Sequence, residues 1–258
     1  MTHFIGLGHS HLNAVTFGWS KFMVEHPGMA RYTPIHLLDT AFQPSFSIQD
    51  SKWVPNPAWH DKLRANLQDD DVTVLVSFQG AQHFNWSFTP GPYPFDFVDA
   101  AHDDGAPLVG QLVPYGLVMR VARASCQGVR SLIQAIRDVA PVPIVQLVAP
   151  PPVRDLEGLI ATNPWMRSQV PELMRLAAEF GVSPVGFRVK LWRVYARALV
   201  EISAELGIEC QMPPQAAFDE IGALREGMIH DIIHGNAIWG SLVVRQLLSR
   251  AGVSKEAM

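Results

Sequence analysis

Cysteine is almost missing from this chain of 258 residues: Cys126 and Cys210 are the only two. A disulfide framework is excluded as the source of stability, and an apolar core has to supply it. Charge is also sparse, with 17% Asp, Glu, Lys and Arg and a formal net charge of -4. The 20 Lys and Arg form no dense run, so the basic footprint that nucleic-acid binding requires is lacking. No uncharged apolar stretch reaches the roughly 18 residues of a membrane span. No basic segment followed by an apolar one precedes the first strand-like run. Together these absences predict a cytoplasmic protein with no nucleic-acid or membrane partner. What the chain has in quantity is apolar residue, at 48%, enough to fill one large α/β domain over 1–258.

Short apolar runs at 4–7, 35–38, 72–78, 142–149 and 207–210 predict five strands buried on both faces. Between them lie helical patterns. Val129, Leu132, Ile133 and Ile136 mark one, and Phe187, Leu191, Val194, Ala198, Leu199, Ile202 and Leu206 mark a longer one. Arg188, Lys190, Arg193 and Arg197 in the longer helix read as a solvated face. A last helix is expected after Asn236, its N-cap, with Ile238, Leu242, Val243 and Leu247 as the apolar stripe. Such alternation means a parallel sheet with helices on both sides, a three-layer α/β/α sandwich. Residues 42–60 and 84–124 are rich in Pro and aromatics and show neither period. They are expected to be long loops walling a pocket at the carboxyl ends of the strands.

The opening Gly6-Leu7-Gly8-His9-Ser10-His11 admits three chemistries. As a dinucleotide-binding turn it has two glycines and an acid, Asp39, closing the second strand, but His11 stands where the third glycine is needed. As a metal site it offers His9 and His11, with His230-Asp231-Ile232-Ile233-His234 resembling the zinc-protease helix motif. The helical pattern begins only after His234, so His230 and His234 are not expected to share a helical face. As a nucleophile, Ser10 needs an imidazole to take its proton and a carboxylate to fix the imidazole tautomer. His234 and Asp231 are spaced to supply both from one tight turn.

With these residues in this order, the chain resembles the SGNH or GDSL hydrolase superfamily. Gly8-His9-Ser10 stands where that family carries Gly-Asp-Ser after its first strand, and Asp231-Ile232-Ile233-His234 stands where it carries Asp-x-x-His before its last helix. Phe78-Gln79-Gly80-Ala81-Gln82 closes the third strand at the place of the family's Gly-x-Asn, and Ala149-Pro150-Pro151-Pro152 closes the fourth, where prolines are frequent. MPPQAAFDE followed by HDIIHGNAIWG is further similar to a group of bacterial SGNH-like proteins. The resemblance implies a five-stranded parallel sheet in the flavodoxin-like order 2-1-3-4-5. It also implies hydrolysis or transfer of an O-acyl group through an acyl-enzyme on Ser10. His234 would act as base and then acid, Asp231 would orient it, and no cofactor or metal would be needed. The substrate would be a small-molecule or glycan-type acyl ester, with His9, Trp86, Tyr93, Phe95 and Tyr115 shaping its pocket.

The departures from the family pattern fall on the oxyanion hole. Besides the N–H of Ser10, the family uses a glycine N–H after the second strand, yet no glycine occurs between Gly28 and Gly80. Another backbone N–H, within 40–45, has to serve. The third donor is expected to be the side-chain amide of Gln82, with Asn85 as the fallback. His9 replaces the family's Asp. A catalytically weak binding protein on the same fold, and a metal-dependent hydrolase using His230 and His234, are the alternatives that these departures leave open.

Overall fold

The computed structural model describes residues 1–49, 52–68, 71–78, 82–102, 110–163 and 171–252. In chain order the elements are β1 (His3–Gly8), α1 (His11–Glu25), β2 (Arg31–His36), β3 (Phe46–Gln49), β4 (Lys52–Pro55), α2 (Pro57–Asn66), β5 (Val72–Ser77) and α3 (His83–Ser87). They continue with β6 (Phe95–Asp96), β7 (Gln111–Leu112), α4 (Tyr115–Ser125), α5 (Gln127–Arg137), β8 (Ile144–Leu147) and α6 (Leu156–Thr162). The chain closes with α7 (Pro171–Phe180), α8 (Val185–Glu205), β9 (Glu209–Gln211) and α9 (Ala237–Arg250).

The main sheet is parallel throughout, in the order β2-β1-β5-β8-β9. Counted along the chain this is 2-1-3-4-5, as expected. Alternate residues of β1 enter different cores, as a period of two demands when both faces are covered. Ile5 and Leu7 join Val74 and Val76 beneath α5 and α8, with Leu132, Ile136 and Leu199. Phe4 joins Leu75 and Leu147 beneath α1 and α9, with Val15, Trp19 and Val243.

The helices α1 and α9 touch backbone to backbone. A Cβ on Gly240 would fall 1.8 Å from the carbonyl oxygen of Ala14, and one on Gly18 would fall 2.3 Å from the carbonyl carbon of Gly240. Only glycine fits either position. We expect Gly240→Ala to cost about 3 kcal/mol in urea unfolding, at the upper end for an overpacked core. The control Gly227→Ala, whose Cβ meets nothing within 4 Å, should stay within about 0.5 kcal/mol of the parent. Equal stabilities for the two variants would show that the helices separate without cost.

Three expectations change. Residues 42–60 are not a loop: the stretch holds the β3–β4 hairpin and the start of α2, whose cap is Asn56 accepting from the N–H of Ala58. Residues 84–124 hold most of α3, the β6–β7 pair and most of α4, while 103–109, like 50–51, lie outside the described residues. The cations of α8 are not a solvated face, because α8 is covered by the sheet on one side and by α3 and α4 on the other. Arg188 is 4% exposed and donates to the carbonyls of Ser183, Val153 and Arg154. Lys190 pairs with Asp96, and Arg197 meets the Tyr115 hydroxyl and Asp99. On α9, Ile238 is exposed while Trp239, Gly240, Val243, Val244, Leu247 and Leu248 are buried. The need to bring Gly240 against α1 turns that face.

Candidate active site

At its carboxyl end β1 runs so close to β5 that a Cβ on Gly8 would fall 2.2 Å from the carbonyl oxygen of Ser77. The same carbonyl accepts the N–H of His9 at 3.0 Å, and the chain then leaves the sheet. Ser10 follows as the N-terminal flank of α1, already helical at φ -56°, ψ -32°, and its hydroxyl caps nothing. It therefore stands in mid-sheet at the strand ends, at the positive end of a 15-residue helix.

The hydroxyl has another partner: Ser10 Oγ lies 2.8 Å from His234 Nε2. On its other side, His234 Nδ1 is 2.7 Å from Asp231 Oδ2 and 2.9 Å from Oδ1. Asp231 Oδ1 also accepts the N–H groups of Ile233 and His234, each at 2.9 Å, and the N–H of His230 donates to the carbonyl of His234. The carboxylate thus builds the tight turn that presents the imidazole. Burial by itself would raise the pKa of Asp231. The hydrogen bond and charge of His234, with the two backbone N–H groups, outweigh it and hold the carboxyl below its ordinary value.

Two further histidines flank Ser10. The His9 ring sits edge-on to Phe78 at 4.4 Å, and burial lowers its pKa. The His11 ring is 4.7 Å from that of His234 and 7% exposed. Its pKa is pushed down to about 3, first by burial and then by the neighbouring imidazoles of His234, His83 and His9, with Asp231 opposing.

The other readings of the opening motif find no support in this geometry. The space beside Gly6 is filled by Tyr32 and Leu12 and that beside Gly8 by Ser77, so a phosphate has no room at either glycine. Asp39 caps the short turn after β2 by accepting the N–H of Ala41. His230 is exposed at the far end of the tight turn, and among the described residues no three His, Cys, Asp or Glu converge on a point where a metal would sit.

Of the expected oxyanion donors, Gln82 is half-buried at the start of α3 and Asn85 is exposed on that helix. Residues 79–81, which complete the motif after β5, lie outside the described residues. Within 40–45, the N–H groups of Ala41, Phe42 and Gln43 are taken up by Asp39 and Thr40, which leaves those of Thr40 and Ser45. Of the five residues expected to shape one pocket, only Trp86 and Phe95 come together. They line an apolar cavity of about 170 Å³ with Leu117, Val121, Leu191 and Tyr195. Tyr115 is turned to Arg197 and Phe97, Tyr93 is 88% exposed, and His9 lies beside Phe78.

As a sequence, the chain matches no protein-family model and no curated protein. As a structure it superposes on the periplasmic domain of a lipopolysaccharide acetyltransferase from Salmonella ser. Paratyphi A, with a TM-score of 0.53 at 14% identity over 97% of this chain and 84% of that one. The two share the α/β fold built on a five-stranded parallel sheet. Weaker likenesses are to the aryl esterase of M. smegmatis and to Est24, a carbohydrate acetylesterase from Sinorhizobium meliloti. The first has a TM-score of 0.48 at 11% identity over 98% of this chain and 100% of that one. The second has a TM-score of 0.47 at 11% identity over 98% of this chain and 99% of that one. Within this site, sequence reasoning missed the contact of His11 with His234. The only available signal was a large polar residue one place after the serine, where the first helix turns into the core.

Proposed function

We propose that the protein is a serine-dependent acyl ester hydrolase or acyltransferase that works through an acyl-enzyme on Ser10. The observation that carries this reading is the relay from Ser10 Oγ to His234 Nε2 at 2.8 Å, continued from Nδ1 to Asp231 at 2.7 Å. A serine hydroxyl becomes nucleophilic when an aligned imidazole takes its proton. As Oγ bonds to the acyl carbon, the proton passes to Nε2 and the carbonyl electron pair moves onto oxygen. Collapse of the tetrahedral adduct expels the alcohol, which takes the proton back from Nε2. Water or an acceptor alcohol then repeats the sequence on the acyl-serine, and His234 ends as it began. Asp231 keeps the Nδ1–H tautomer throughout and stabilises the imidazolium.

For the oxyanion, this reading uses the N–H of Ser10 at the head of α1, a backbone N–H from 40–45 and the amide of Gln82. The Salmonella domain of like fold belongs to an acetyltransferase, which makes acetyl the first acyl group to try.

A fluorophosphonate probe and a nitrophenyl acetate assay test the reading together. Stoichiometric labelling is expected, with hydrolysis that a chelator leaves unchanged. Loss of activity to the chelator would move the chemistry to a metal-activated water. Absence of both labelling and hydrolysis across acetyl, longer acyl and aryl esters would leave a binding protein on this fold.

A further inference from the structure

We propose that His11 is a positioning residue for His234: its ring packs on the His234 ring, aims it at Ser10 and stabilises it while it carries the transferred proton. This rests on the reading of His234 as the base. His11 opens the first turn of α1, directly after the nucleophile, and its ring centroid is 4.7 Å from that of His234 with the planes 50° apart. It is 7% exposed, and Nδ1 is buried with no hydrogen-bond partner. A leucine would fill a similar volume with no orphaned polar atom, so packing alone does not account for an imidazole here.

The groups that face His11 define what it can do. His234 and Asp231 approach from the turn before α9, His83 from α3 and His9 from the end of β1. Burial above all, and then the three imidazoles among these four groups, keep the His11 ring neutral down to about pH 3. A charged His11 would repel the imidazolium. An aliphatic side chain would offer it no polarisable face. A neutral aromatic ring within about 6 Å attracts a cation placed against it. The imidazolium formed at each proton transfer therefore lies between the Asp231 carboxylate and the His11 ring, while the same contact blocks rotation of the imidazole away from Ser10.

The test is an NMR titration of the histidine side chains in isotopically labelled protein, which needs no turnover. In the ring-less variants His11→Leu and His11→Gln, the His234 midpoint should move to lower pH by about half to one unit. In His11→Phe, which keeps a ring, it should stay within about 0.2 units of the parent. The acid limb of the kcat/KM profile should move with it. An unmoved midpoint in whichever ring-less variant retains the parent circular dichroism would overturn the proposal, as would a shift in the Phe variant equal to that in the Leu variant. Wild-type protein that hydrolyses no ester sinks the hydrolase reading, yet the titration still decides whether His11 acts on His234.

Discussion

Turnover of a small activated ester by the Ser10→Ala variant should fall by roughly 10⁶-fold on the proposed mechanism, in which nucleophile and base act as a unit and losing either forfeits the whole covalent route. For the same reason His234→Ala should cost as much, and the double variant no more than either single one. Stability should change by no more than about 1 kcal/mol. The lost hydrogen bond is a single one, and the His234 side chain, 19% exposed, can turn Nε2 to water instead. Initial rates and thermal midpoints measured side by side decide the matter. A residual rate within about a hundredfold of wild type would assign the chemistry to another group.

Asp231→Asn should lower turnover by about 10⁴-fold. The amide oxygen can still accept the N–H groups of Ile233 and His234, so the turn survives. The amide nitrogen, however, would donate toward His234 Nδ1, forcing the ring proton onto Nε2, where it faces Ser10 and cannot receive the hydroxyl proton. The same substitution has a signature in stability. Because the folded pKa of Asp231 lies below its unfolded value, the carboxylate stabilises the native state at pH values above the ordinary carboxyl range, and that contribution disappears as pH falls through the folded value. The Asn variant should therefore lose less stability than wild type between about pH 5 and the acid transition, as denaturant unfolding at a series of pH values would show. An unchanged rate in Asp231→Asn would reduce the carboxylate to a former of the turn.

The parallel sheet was readable because its strands are buried on both faces, so β1 and β5 appear as unbroken apolar runs between turn residues. The meeting of Ser10, His234 and Asp231 was readable because each sits at a strand end or a tight turn whose local spacing survives in one dimension. The hairpin β3–β4 was hidden. Its strands are four residues long, Pro44 and Pro55 border it, and Ile48 and Trp53 face solvent where a polar residue is expected. Even so, Asn56-Pro57 is an N-cap followed by a proline in the first turn, and it marks α2 plainly. The burial of Arg188 was out of reach. Its acceptors are carbonyls of Ser183, Val153 and Arg154, and no pattern along α8 shows that loops from two parts of the chain will close over it. The pairing of His11 with His234 was hidden for a related reason, since it depends on how closely two distant helices approach.

That approach has a consequence for when reactivity can arise. Ser10 and His234 are 224 positions apart, and each is fastened to the front of a helix whose backbone meets the other at Gly18 and Gly240. The two side chains therefore meet only when segments far apart in the chain have packed together through that helix pair. A serine without an imidazole beside it is as inert as any surface hydroxyl. On the proposed reading, the capacity to form an acyl-enzyme depends on the seating of α9 against α1, so whatever loosens the Gly18–Gly240 contact also draws the imidazole away from the hydroxyl.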